Sequence, residues 1–290
     1  MALAASRVLR LPFVTTYHGS YSTRSAVKTL YNSVMARGDV VIANSHYTAD
    51  MIAEMHPFAR ERIRVVHRGT DFSSFAPASV APERVEKLRS DWQVEPDRRI
   101  VLLPGRLTGW KGQRVLIEAA ASLRQRGVID AVYVLAGDAQ GREAYVKELD
   151  ALIARHGLEG IVRRVGHCTD MPAAFLASAV VAVPSTEPEA FGRVAVEAQA
   201  MGTPVVVSDL GAVPETVLAP PQTAAQERTG WRVQAGDANA LADGLGEALA
   251  LRPSAADNLA LRARRHVEAH FSLDHMVAET LDVYCALVGR

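Results

Sequence analysis

Apolar residues in this 290-residue chain recur in two rhythms that alternate along its length. Short continuous apolar runs predict strands at 12–17, 40–44 and 63–67, and again at 100–103, 131–136, 162–165, 180–183, 204–208 and 231–233. Between them, apolar positions spaced three and four apart predict helices at 23–37, 47–56, 83–92, 113–126, 141–155 and 172–177. In the 113–126 helix the apolar face is Val115, Leu116, Ala119, Ala120 and Leu123. Residues before 12 read as a helix leading into the first strand, and 75–82, rich in Ala, Ser and Pro, as a linker. Beyond Gly236 the pattern is almost wholly helical to Leu287, ending in an amphipathic stretch at 272–288. Strands that are apolar throughout, alternating with helices, predict an α/β chain with parallel sheets covered on both faces.

Composition narrows the class. Hydrophobic residues make up 49% and charged residues 22%, which is globular and not disordered. The 32 basic and 32 acidic residues cancel, so bulk attraction to nucleic acid or to an anionic membrane is not expected. Cys168 and Cys285 lack metal-ligand spacing and fit a reducing compartment. No apolar run reaches the ~18 residues of a membrane span, and the first residues lack the cationic start of a signal peptide.

Two constellations carry chemistry. In the first, Glu189 and Glu197 flank a loop-to-helix junction at Phe191-Gly192, in a helix that runs to Ala200 and is stopped by Gly202. A helix start offers unpaired N–H groups and partial positive charge. Glu189 precedes that start, and Glu197 is placed about two turns inside. Acceptors at two depths suit sugar or ribose hydroxyls, although one solvated glutamate and one helix-start charge would give the same spacing. In the second, Pro104-Gly105 closes an apolar strand, and Arg106 and Lys111 share the loop that follows. Ligands of open parallel sheets bind at that edge. Arg as a planar fork and Lys as a point charge can together neutralise a diphosphate.

Gly105-Arg106, Lys111-Gly112, Leu135-Ala136-Gly137-Asp138, Val165-Gly166-His167, Pro184-Ser185 and the 189–204 block occur in one order over residues 100–217. In that order and spacing the chain resembles the carboxy-terminal half of GT-B glycosyltransferases of retaining family 4, also called group 1. The resemblance implies two Rossmann-like domains with parallel sheets, the first truncated. Residues 1–95 would be a partial acceptor-side domain, 96–270 the nucleotide-sugar domain, and 271–290 a helix packing back on the first. It also implies transfer of a sugar from a nucleotide diphosphate to an acceptor hydroxyl with retention. By position, Arg106 and Lys111 would hold the diphosphate and stabilise the leaving group. Glu197 would bind the ribose hydroxyls. Glu189 would face the donor sugar beside the N–H groups of Phe191, Gly192 and Arg193. Gly105, Gly137 and Asp138 would line the donor site, with His167 bordering the base, and Asp138 reads equally well as a turn residue. His18, in Thr-Tyr-His-Gly, matches a histidine that supports catalysis.

Such enzymes generally need no metal, and no Asp-x-Asp motif is present, so no cofactor is expected beyond the donor substrate. The implied partners are a nucleotide sugar and a glycan or glycolipid acceptor, in the cytoplasm at the inner face of the membrane, within envelope polysaccharide or lipopolysaccharide synthesis. Peripheral membrane contact and self-association belong to the same expectation, because a half-sheet leaves an edge and an apolar face uncovered. The family's glycine-rich first strand has no counterpart here, which reads as a fragment, a misassigned start or a short form. A nucleotide-sugar-binding fragment without turnover and a GT-B sugar-nucleotide epimerase are the alternatives. Val65-Val-His-Arg-Gly-Thr-Asp71 departs from the family's Asn-Gly by placing Arg68 before Gly69.

Overall fold

The computed structural model describes residues 1–19 and 30–289, and its contacts divide the chain into two units. Unit 1 comprises Met1–Thr70, Glu189–Phe191 and His270–Arg290; unit 2 comprises Asp71–Pro188 and Gly192–Ala269. The packing boundary thus falls at Thr70, ahead of residue 95, and three residues of the 189–204 block belong with unit 1.

In unit 1, helix α1 (Ala2–Leu9) precedes three parallel strands, β1 (Val14–Tyr17), β2 (Val40–Ala43) and β3 (Ile63–Val65), in that spatial order. Helix α2 (His46–Met55) follows β2 and starts at Ser45, whose Oγ accepts from the Thr48 N–H. One sheet face and α2 bury Tyr17, Val41, Ala43 and Ile52. Much of the helix expected at 23–37 lies outside the described residues; its end, Ser33–Ala36, is a 3-10 turn. The last helix, α11 (Leu273–Val288), has no buried residue.

Unit 2 begins with α3 (Pro82–Asp91). Its sheet is all parallel: β4 (Arg99–Pro104), β5 (Ala131–Ala136), β6 (Val162–Gly166), β7 (Val180–Val183), β8 (Val205–Ser208) and β9 (Trp231–Val233). The spatial order is β6-β5-β4-β7-β8-β9, so the direction of winding reverses between β4 and β7. The crossovers are α4 (Gln113–Gln125), α5 (Glu143–Arg155), α6 (Met171–Leu176), α7 (Arg193–Ala200) and the short α8 (Val213–Thr216); α9 (Ala238–Leu249) and α10 (Pro253–His270) complete the series.

The two faces of this sheet are covered separately, as the period-two side-chain pattern of strands requires. Val101, Leu103, Tyr133 and Leu135 pack with Leu116 of α4, Leu149 of α5 and Leu245 of α9. The intervening Ile100, Leu102, Val132 and Val134 pack with Leu88 of α3, Phe175 of α6 and Ala198 of α7. Each fully buried Val or Leu contributes about 1.5–3 kcal/mol relative to exposure. The 75–82 segment is not a free linker. Val80 is buried in the second cluster, the Phe75 ring lies 6.2 Å from Phe175, and Pro77–Ser79 forms a 3-10 turn. Two apolar side chains outweighed the composition that suggested a connector.

Candidate functional site

The donor-type constellation assembles within unit 2, at the carboxyl ends of its strands. A cavity of about 360 Å³ is lined there by Gly105, Arg106, Gly137, Asp138, His167, Arg193 and Glu197, seven of the residues singled out from sequence. The winding of the sheet explains the convergence: Gly105 and Arg106 follow β4, Gly137 and Asp138 follow β5, and His167 follows β6. Arg193 and Glu197 come from α7, which follows β7. Crevices outside the carboxyl ends near a reversal of strand order are where such sheets bind ligands.

Two glycines permit the loops to meet. A Cβ on Gly137 would lie 1.8 Å from the Gly105 carbonyl oxygen, and one on Gly112 would lie 1.8 Å from that of Pro184. Gly112 also sits at φ +75°, which L side chains avoid. The loop after β4 is pinned further by its own backbone. The Gly105 N–H donates to Ala136 O at 2.9 Å, Leu107 N–H to Asp138 O at 3.0 Å, and Thr186 N–H to Trp110 O at 2.8 Å.

The Arg106 side chain is exposed and has no hydrogen bond or ion pair among the described residues. Its carbonyl, by contrast, accepts from Nε2 of the wholly buried Gln113 at 3.0 Å. Gln113 Oε1 in turn accepts from the Tyr145 hydroxyl at 3.1 Å, and burial pushes that phenol above its ordinary pKa. Lys111 lies in the 3-10 turn Gly109–Lys111 and is not among the residues lining the cavity, but its Cδ lies 3.5 Å from where a Gly105 Cβ would stand. Its Nζ is 4.2 Å from the Trp110 ring centroid, a cation–π contact. Trp110 therefore supports the lysine from within its own loop.

Gly192 caps α7, so Glu197 is the fifth helical residue. It stands a little over one turn inside, and not two, because the helix starts at Arg193. Glu197 is 9% exposed, and its Oε1 lies 3.2 Å from Arg193 Nε. Asp138 serves both readings: it lines the cavity, and its Oδ1 accepts from the Gln140 N–H at 3.0 Å in a local turn. Cys168 and Met171 also line the cavity. Burial raises the Cys168 thiol pKa above its ordinary value.

Glu189, Phe191 and His18 belong to unit 1. The carbonyl of Ala190 accepts from Ser45 Oγ at 2.7 Å and from Thr48 Oγ1 at 3.2 Å. Phe191 is buried edge-on against Phe271, with ring centroids 5.4 Å apart, and Phe271 also meets His67. The segment carrying Glu189 is thus held by α2's first turn and by an aromatic contact. Neither anchor was foreseen; Ser45 placed before a helical stretch was the available signal. His18 is exposed at the end of β1 and lines a separate cavity within unit 1.

A doubly wound parallel sheet with a cationic loop and a buried glutamate at its carboxyl edge defines a nucleotide-binding class. Residues 84–266 match the family described as glycosyl transferases group 1, and residues 1–74 match glycosyltransferase family 4. The chain belongs to the group 1 glycosyltransferases, and its fold is of the GT-B type. It is 36% identical over 269 residues to a D-inositol 3-phosphate glycosyltransferase of Salinispora tropica, covering 89% of this chain and 53% of that one. The chain spans about half the length of the curated relatives it matches. Among solved structures it resembles a glycosyltransferase from Rickettsia africae, with a TM-score of 0.88 and 30% identity over 99% of this chain and 73% of the other. It also resembles Anabaena HepE in complex with UDP-glucose, with a TM-score of 0.83 and 29% identity over 97% and 75% of the two chains. No helix among the described residues is long and apolar enough to cross a membrane.

Proposed function

We propose that the chain takes part in transfer of a hexosyl group from a uridine diphosphate sugar to an acceptor hydroxyl, with retention of anomeric configuration. The observation that carries this reading is the unit 2 cavity, where Arg106, unpaired among the described residues, and a buried Glu197 share one lining. Cleaving the glycosidic bond leaves charge on the diphosphate. Arg106 and Lys111 would offset that charge, and preorganised cations are most effective where charge develops. Glu197 would accept from the ribose hydroxyls. Uridine is favoured by the likeness to the UDP-bound Anabaena structures. With two cations at hand the reaction needs no divalent metal, so a chelator should leave turnover unchanged. The roles given by resemblance to His18 and Glu189 are part of the same proposal.

Lys111→Ala should lower turnover by more than about 100-fold, as loss of a group that stabilises developing charge does, and Glu197→Ala should lower kcat/KM by about as much, because a buried ribose contact supplies binding energy that positions the donor. The check is product formation from UDP-glucose, with circular dichroism confirming the fold; unchanged turnover in either variant would sink the assignment. Proton NMR of the product's anomeric centre reports retention or inversion.

A second reading is donor binding without turnover. It is favoured by the lining of the cavity, all of which comes from unit 2. Calorimetric binding of UDP-glucose with neither hydrolysis nor transfer would select it. The envelope-glycan pathway rests on the likeness of the 185–200 stretch alone, whereas the relatives are named for an inositol phosphate acceptor.

A further inference from the structure

Unit 1 brings together two histidines for which donor binding has no use. His46 is the first residue of α2, just beyond β2, and His67 stands just beyond β3. Their rings meet edge-on, with centroids 5.3 Å apart and planes at 65°, and they offer ring nitrogens within 4.8 Å of one another. Two imidazoles bound at about 2.0–2.1 Å to one tetrahedral ion hold their ring centres roughly 5 Å apart. Small side-chain rotations would therefore admit an ion between them.

Both histidines stand on main chain that is already fixed. Ser45 is wholly buried, and its Oγ accepts from the Thr48 N–H at 3.0 Å, which sets the first turn of α2 and the place of His46 on it. Around His67, the Val66 N–H donates to Ala43 O at 2.9 Å and the Thr70 N–H to Phe271 O at 2.8 Å. The His67 ring is half-buried against Phe271, at a centroid distance of 5.4 Å, whereas His46 is exposed. Ligands held in place beforehand lose little freedom on binding, and the exposed ring leaves an entry path. Imidazole nitrogen suits zinc, copper and nickel; magnesium and calcium prefer oxygen.

We propose that His46 and His67 bind a transition-metal ion of the zinc class, leaving two positions of a tetrahedral ion for other ligands. The ion would tie the carboxyl ends of β2 and β3 together. The neighbours of both ligands also anchor the segment that carries Glu189: Ser45 Oγ holds the Ala190 carbonyl, and Phe271, which touches His67, packs against Phe191. The tie is structural, takes no part in sugar transfer and stands apart from the transferase reading.

The experiment strips the whole chain with a chelator and titrates it calorimetrically with Zn²⁺, with Mg²⁺ as the control. One Zn²⁺ per chain should bind saturably, and Mg²⁺ should not. His46→Ala and His67→Gln should each weaken Zn²⁺ binding by at least about tenfold, since loss of a partner that only orients a ligand already costs roughly 10–100-fold. His156→Ala, at an exposed histidine of unit 2, should leave binding unchanged. At about ten times the dissociation constant, Zn²⁺ should slow amide hydrogen exchange in β2 and β3 about tenfold, as linkage requires of an opening that destroys the site. Because His46 is exposed, His46→Ala keeps the fold and should abolish that slowing. Absence of saturable Zn²⁺ binding, binding that either His46→Ala or His67→Gln leaves unaltered, or slowing that persists in His46→Ala overturns the site. The two rings would then be an aromatic contact only.

Discussion

Both sheets of this chain are built from parallel strands joined through helices, yet they reach different conditions. In unit 2, β5 is buried at all six positions, and a separate apolar cluster covers each sheet face. In unit 1 the core cluster is small, while Leu30, Tyr31, Val277, Leu281, Tyr284 and Val288 are exposed. The last four recur at helical spacing along α11. The difference teaches that an apolar period states a demand for cover and does not say where the cover comes from. A smaller core buries less apolar surface and so gains less stability, and unit 1 should be the weaker of the two.

The largest expected effect breaks the stronger partner. Gly112→Ala places a methyl against the Pro184 carbonyl at a backbone angle alanine avoids, and should cost unit 2 about 3 kcal/mol or more. Urea denaturation followed at Trp92 and Trp231, which are both in unit 2, would register it. A loss under about 1 kcal/mol would mean that the loops yield easily.

Asp170→Ala should cost about 1 kcal/mol, because Asp170 caps α6 through the Ala173 N–H and pairs with Arg84 at 2.7 Å. Exposure of both side chains keeps the ion-pair share small. The Arg84 hydrogen bond holds the Asp170 carboxyl below its ordinary pKa, against an opposing push from burial. A lowered folded pKa gives stability that is complete above the unfolded value of about 4 and lost as pH falls through the folded one. The gap between wild type and variant should therefore narrow below about pH 4, and a gap constant down to pH 2 would exclude a charge contribution.

The smallest stability effect sharpens the reading of unit 1. Leu281→Glu should change stability by less than about 0.5 kcal/mol, since the residue is 53% exposed. It should nonetheless reduce self-association seen by light scattering. A monodisperse wild-type monomer would show that the exposed stripe seeks no second copy.

Much of unit 2 was legible because its strands are apolar throughout and its helices amphipathic. The six expected strands of this unit and the helices around α4 and α5 fall where the structure has them, within a residue or two. The donor constellation was legible for the same reason, since strand ends in a parallel sheet share one edge. What escaped depends on distant packing. Phe75 and Val80 look like connector residues until their partners are known. Gln113 reads as an ordinary polar residue at a helix start, and its burial follows only from Arg106 and Tyr145. The assignment of Glu189–Phe191 to unit 1 depends on Ser45, Thr48 and Phe271, far away in sequence.

Gln113 has one further consequence. Its bond to the Arg106 carbonyl, together with that between Leu107 and Asp138, fixes the main chain on which Arg106 sits without using the guanidinium. Position 106 is therefore a mount whose fitting can be exchanged. A series of side chains differing in charge and reach can be placed there with the loop unmoved, so donor affinity becomes a readout of local electrostatic field.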